Sequence, residues 1–146
     1  MTSVEVQGDL PPDISPEQVE QTARIILAAE TPGIEYQIGL LCTDGKEIRR
    51  INKLYRGVDA VTDVLSFVGG SIVFQGLETR ICDIIIDTKQ VFSQKGKNTY
   101  KEEFWQVLIH ALLHLAGYDH IRTADKKKME DAEDNYRKQI PKGQER

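Results

Sequence analysis

Apolar and polar positions alternate with a period that changes along the chain, and each change marks an element. Val4 and Val6 alternate with Glu5 and Gln7, a period of two that predicts a short first strand. Pro11-Pro12 breaks it. Ser15-Pro16-Glu17-Gln18 then has the form of a helix start, with a serine N-cap, a proline in the first turn and a glutamine placed to close a capping box. Val19, Ala23, Ile26 and Leu27 recur at helical spacing until Pro32-Gly33 stops the run. Tyr36, Ile38, Leu40 and Cys42 return to period two as a second strand. Asp44 and Glu47 open a second helix, expected to bury Ile48, Ile51, Leu54 and Tyr55 and to end at Gly57.

The second half is more apolar. Thr62 to Val68 reads as a loop entering a strand that Gly69-Gly70 is expected to close, and residues 71 to 80 suggest only a hairpin connection. Ile81-Cys82-Asp83-Ile84-Ile85-Ile86 is apolar except for Asp83, and its β-branched density predicts a strand covered on both faces. A carboxylate in that company is either a capping or hydrogen-bonding device, the plainer reading of Asp83, or a site residue. Asp87 or Thr88 caps a short helix reaching about Gly96, with Val91 and Phe92 inward. Thr99 and Glu102 form a capping box for the next helix. Its Phe104, Leu108, Ala111, Leu112 and Leu115 line one side, and Trp105, Ile109 and Leu113 cover much of the rest. A helix apolar nearly all round is the central one of its domain. Thr123 caps a last helix, with Met129, Ala132, Tyr136 and Ile140 inward and Pro141 at its end. The pattern predicts an α+β fold in one domain spanning residues 1–146, a single mixed sheet of about four strands packed with about five helices.

Composition narrows the function classes. The 146 residues carry 19 Lys and Arg against 23 Asp and Glu, a net charge of −4. That balance argues against a general nucleic-acid coat, while a local basic groove stays compatible with it. No run approaches the roughly 20 apolar residues of a membrane span. Glu5 and Asp9 stand where a signal peptide would be basic and then apolar. Cys42 and Cys82 both fall in apolar strand-like runs, as small buried hydrophobes of a reducing compartment, so a cytoplasmic protein is expected.

All three histidines fall in one window, His110-Ala111-Leu112-Leu113-His114-Leu115-Ala116-Gly117-Tyr118-Asp119-His120. Residues four apart share a helix face, so His110 and His114 can aim two imidazoles at one point. Gly117 is suited to the left-handed conformation that ends a helix, which turns the chain so that His120 can return as a third ligand. Three imidazoles with an open fourth position make a zincin-like catalytic site for Zn2+, and such a set also accepts nickel or copper. The spacing matches the metzincin pattern H-E-x-x-H-x-x-G-x-x-H except that Ala111 stands where the protease has its glutamate base. The second helix adds Arg49, Lys53 and Arg56 at i, i+4 and i+7, a positive stripe whose plain reading is a solvated face, with Arg56 also placed to favour the C-terminal end of the helix dipole.

Taken together, these segments resemble the YbeY family of bacterial rRNA maturation factors, single-strand-specific endoribonucleases. The family signature H-G-x-L-H-L-x-G-Y-D-H is matched by His110 to His120, N-x-x-Y-R by Asn52 to Arg56, P-T-D-V-L-S-F by Val61 to Phe67, and L-G-D-I by Ile81 to Ile84. Ala111, Val61 and Cys82 depart from the pattern, none at a ligand position. The resemblance implies a zinc site at His110, His114 and His120 and an essential arginine at Arg56. It also implies a role in 16S rRNA 3′ end processing and ribosome quality control, with single-stranded RNA and the small ribosomal subunit as partners and no DNA or membrane.

A metal-bound water or the 2′-hydroxyl of the RNA can serve as nucleophile in such a site. Arg56 is the candidate for stabilising charge on the phosphoryl oxygens, Arg49 and Lys53 for following the RNA backbone, and Asp119 for a structural role between ligands. Two other readings stand beside this one: a zinc-dependent, protease-like hydrolase, and a ribosome-assembly factor whose zinc is purely structural.

Overall fold

A computed structural model of the chain describes residues 1–57, 62–118 and 123–139, without the side chains of Arg56 and of residues 123 to 125. It contains β1 (Ser3–Gln7), α1 (Pro16–Glu30), β2 (Ile34–Thr43), α2 (Gly45–Arg56), β3 (Val64–Phe74), β4 (Leu77–Asp87), α3 (Thr88–Gln94), α4 (Tyr100–Leu115) and α5 (Thr123–Gln139). The sheet has the order β1-β2-β4-β3. The first three of these strands run parallel, and β3 runs antiparallel to β4. Among the described residues the fold is α+β with one mixed four-stranded sheet and five helices, as the pattern predicts.

The helix starts follow local chemistry. Ser15 accepts from the Gln18 N–H while the Gln18 side chain accepts from the Ser15 N–H, and Thr99 and Glu102 do the same for α4. Asp44 and Asp87 each accept the backbone N–H three residues on.

The two faces of the sheet are covered unequally. On one face, Tyr36, Ile38, Leu40 and Cys42 of β2 and Cys82, Ile84 and Ile86 of β4 meet Val19, Ala23, Ile26 and Leu27 of α1 and the body of α4. Eleven of the sixteen residues of α4 are buried, which makes it the central helix. Emptying one such position, as in Leu108→Ala, costs about 2–5 kcal/mol. On the other face, among the described residues, α2 packs through Ile48 and Ile51 against Leu65 and Ile85.

This one-sidedness corrects several expectations. Leu54 and Tyr55 are 65% and 71% exposed, because the last turn of α2 runs past the small cluster it covers. Tyr55 makes a tilted ring contact with Phe67. Phe92 is exposed rather than inward, held edge-on by Tyr100 with the Lys95 ammonium over its ring. Ile81 and Asp83 are exposed on the thinly covered face, so β4 is covered on both sides only toward its C-terminal end. Cys82 fills a core position.

Gly69-Gly70 does not close β3. The register slips by one residue between Val68 and Gly70, a bulge that the glycines absorb, and the strand continues to Phe74. The expected hairpin is then completed at Gln75-Gly76, both at positive φ (51° and 81°), the geometry of a two-residue type I′ loop. Ile140 and Pro141 lie outside the described residues.

Candidate active site

Helix α4 has one strip that is neither fully buried nor fully open: Gln106, His110 and His114, spaced i, i+4, i+8. The rings of His110 and His114 stand 4.8 Å apart between centroids at an interplanar angle of 73°. The strip faces α5. Arg137 Nη1 donates to Gln106 Oε1 at 3.2 Å, and Glu133 Oε1 lies 2.7 Å from His110 Nδ1. These two rungs are four residues apart on each helix, so together they fix the antiparallel register of α5 against α4.

The Glu133 contact sets the chemistry of His110. A carboxylate at hydrogen-bond distance holds the proton on Nδ1, which leaves Nε2 as the lone-pair nitrogen and fixes the ring plane. A histidine pair at i, i+4, with a carboxylate behind the first, fits the donor set of a zinc-type ion. His110 and His114 are the residues that would hold such an ion, and the third proposed ligand, His120, lies outside the described residues, as does Asp119.

The chain leaves α4 by a defined turn. Gly117 takes φ 107°, the Tyr118 N–H donates to the Leu113 carbonyl and the Gly117 N–H to that of His114. This is a Schellman ending, and it points the chain away from the helix axis just after the second histidine. Side chains from several elements secure it. Glu30, the last residue of α1, accepts hydrogen bonds from the hydroxyls of both Tyr118 and Tyr136. Its carboxylate beside the Tyr118 hydroxyl pushes that group up to about 12, and burial with the same carboxylate raises Tyr136 as well. Arg80 donates to the Leu115 carbonyl at 3.4 Å and to the Tyr36 hydroxyl at 3.2 Å, a cation at the C-terminal end of α4.

Position 111 is fully buried in the core beneath the histidine strip. The alanine there is a packing residue, and it leaves the site without the glutamate of a metzincin.

Arg49 and Lys53 are exposed on α2, which packs on the opposite face of the sheet from α4. Arg56 is the last residue of the same helix, and its side chain lies outside the described residues. That face also carries a groove of about 780 Å3, lined by Glu47, Arg50, Leu54, Tyr55, Phe67 and Asp83 among others. Among the described residues it does not include His110 or His114. The carboxylate of Asp83 leans over Gly39, whose missing Cβ would stand 2.9 Å from Oδ1.

Glu133, Glu30 and Arg80 were not legible as site residues. Several acidic residues crowd α5, and only the packed register of α5 on α4 tells which one reaches His110.

The family model described as endoribonuclease YbeY matches residues 7–141. The chain belongs to the YbeY family. It is 36% identical to the endoribonuclease YbeY of Petrotoga mobilis over 137 residues, covering 92% of each chain. With that of Clostridioides difficile it shares 32% identity over 131 residues, 84% of this chain and 86% of the relative. Its fold is similar to the solution structure of TM1509 from Thermotoga maritima, with a TM-score of 0.61, 24% identity, and coverage of 94% of this chain and 88% of that one. Family membership supports an endoribonuclease role with RNA as substrate. Among the described residues no helix is long and apolar enough to cross a membrane.

Proposed function

We propose that the chain is a metal-dependent, single-strand-specific endoribonuclease acting in rRNA maturation, at the 3′ end of 16S rRNA, and in quality control of the small ribosomal subunit in the cytoplasm. The observation that carries the metal-dependent part is the His110–His114 pair with Glu133 behind His110. The RNA target and the ribosomal setting rest on the family resemblance.

His110, His114 and His120 would hold one Zn2+, with nickel or copper as chemically acceptable substitutes. A zinc ion so held supplies a bound water of lowered pKa and a Lewis acid for a phosphoryl oxygen. Glu133 is a positioning residue that keeps His110 in one tautomer and one plane. Arg56 would supply a guanidinium, whose planar fork suits two phosphoryl oxygens of the scissile group. Arg49 and Lys53 follow the RNA backbone on the exposed side of α2. Ala111 contributes no proton transfer, so a peptide substrate, whose leaving amine must be protonated, finds no metzincin glutamate here.

The test is a paired assay of single-stranded RNA and an unstructured peptide, each before and after complete metal removal. RNA should be cut only with metal present, and the peptide not at all. Cleavage of RNA that persists after metal removal overturns the mechanism, and RNA binding without cleavage in any metal favours a structural zinc in an assembly factor. Elemental analysis of untagged protein identifies the ion.

A further inference from the structure

Residues 88 to 100 hold three lysines, Lys89, Lys95 and Lys97, and no acidic residue, in a chain whose net charge is −4. Lys89 and Lys97 are exposed and Lys95 is half-buried. Among the described residues no carboxylate pairs with any of the three. Asp63, Glu103 and Asp87 touch this segment through its amides instead. Gln94 donates to Asp63 at 2.9 Å and to Glu103 at 3.1 Å, Asn98 donates to Glu103 at 3.0 Å, and Asp87 accepts the Gln90 N–H. The ammonium groups are left to solvent.

An open aromatic ring stands among them. Phe92 is 53% exposed and follows Lys89 by three residues, which puts the two on one side of α3. The Lys95 ammonium lies 5.1 Å from the ring centroid, and Tyr100 meets the ring at 5.3 Å and 89°. Either feature is ordinary by itself on a protein surface. Together, a supported ring flanked by unpaired cations is the combination that binds single-stranded nucleic acid, where bases stack on the ring and phosphates meet the lysines.

The surface is fixed to the helix that carries the histidines. Val91 seats α3 in the core shared with α4, on the same side of the sheet. Gln94 and Asn98 both hold Glu103, and Glu103, Val107, His110 and His114 follow one another along α4 at i, i+4, i+7 and i+11. The anchor therefore precedes the first histidine by seven residues, about 10 Å of helix.

We propose that Phe92, with Lys89, Lys95 and Lys97, forms a docking platform for the single-stranded RNA substrate beside the histidine strip. One base stacks on Phe92 in the place over the ring that Lys95 holds in the free protein, and the displaced ammonium turns to the adjoining phosphate. The exchange is favourable because base stacking on an aromatic side chain is stronger than an exposed cation–ring contact. Duplex RNA cannot make it, since its bases are stacked on one another and only its phosphates reach the lysines. The platform selects strand state and not sequence, because every base has a face to stack. The inference rests on RNA being the substrate, and not on how the histidines cut it.

The test is fluorescence anisotropy of the full chain, metal-loaded and again after metal removal, with a labelled 2′-O-methyl RNA single strand and with a duplex of the same length. The wild-type chain should prefer the single strand. Phe92→Ala should weaken single-strand binding about 5- to 100-fold, leave duplex binding unchanged and keep wild-type circular dichroism, since Phe92 is exposed. Phe92→Trp should restore the affinity. Lys89→Gln, Lys95→Gln and Lys97→Gln combined should reduce the slope of log affinity against log salt by about 2, at about 0.7 for each phosphate contact. Single-strand affinity indifferent to Phe92→Ala, a loss shared equally by the duplex, or an unchanged salt slope in the glutamine variant would each overturn the platform. Binding with these dependences to RNA that stays uncut in the presence of metal would uphold the platform and defeat the metal-dependent mechanism. Metal-dependent cleavage with binding indifferent to Phe92 would do the reverse.

Discussion

Glu133 of α5 places a carboxylate oxygen 2.7 Å from Nδ1 of His110 on α4, and this contact joins the candidate active site to the packing of the last helix. Removing it should loosen the metal site without emptying the core. Glu133→Gln is expected to lower zinc affinity about 10- to 100-fold, measured by competition with a chromogenic chelator, while the melting temperature of the metal-free protein changes little. Unchanged affinity would reduce Glu133 to a helix-pairing residue.

Tyr136 and Tyr118 share the Glu30 carboxylate, which ties the ends of α1, α4 and α5 together. Tyr136→Phe removes one hydrogen bond to a charged acceptor at a buried position. It should cost about 1.5–3 kcal/mol in urea denaturation. Activity should fall as well, because the same clamp holds the turn that leads from His114 toward His120.

Ala111 is fully buried, so installing the glutamate of a metzincin there cannot create a peptidase. Ala111→Glu forces an unpaired carboxylate into the core beneath the histidines, at a cost of several kcal/mol. Loss of cooperative thermal unfolding is the expected result. A folded variant that cleaves peptide would show that position 111 faces the metal after all.

Arg56→Ala is expected to retain the fold and the metal content while cleavage of single-stranded RNA drops about 10^2- to 10^3-fold, the effect of losing a preorganised charge at a developing anion. Normal cleavage by this variant would leave Arg56 as a residue that merely ends α2.

Alkaline pH should destabilise the fold over a definite window. Burial pushes the thiols of Cys42 and Cys82 from 9.0 up to about 11, and Glu30 pushes Tyr118 from 10.0 to about 12. Each group holds its proton more tightly folded than unfolded, so its contribution is intact below the unfolded value and is lost as pH rises through the folded one. Melting temperature should therefore hold to about pH 9 and decline from there toward pH 12. Cys42→Ala with Cys82→Ala should flatten the lower part of that decline.

The sequence by itself determined the elements whose signals are local. Capping boxes at Ser15 and Thr99, the period-two run from Tyr36 to Cys42 and the all-round apolar surface of α4 each involve residues a few positions apart, and every one of them appears as expected. The pairing of His110 with His114 belongs to the same class, since helical geometry alone brings i and i+4 together. Leu54, Tyr55 and Phe92 are exposed against the helical pattern for the converse reason. Helical spacing says which side chains share a face, and only the packed structure says whether anything covers it. The course of β3 beyond Gly69-Gly70 was likewise decided by its partner, because ten paired positions on β4 carry the strand through the bulge. The tertiary structure alone chose Glu133 from the acids of α5 and bound Glu30 to two tyrosines. Those outcomes depend on contacts between residues far apart in the chain, whose register is set when whole faces dock and which no local pattern encodes.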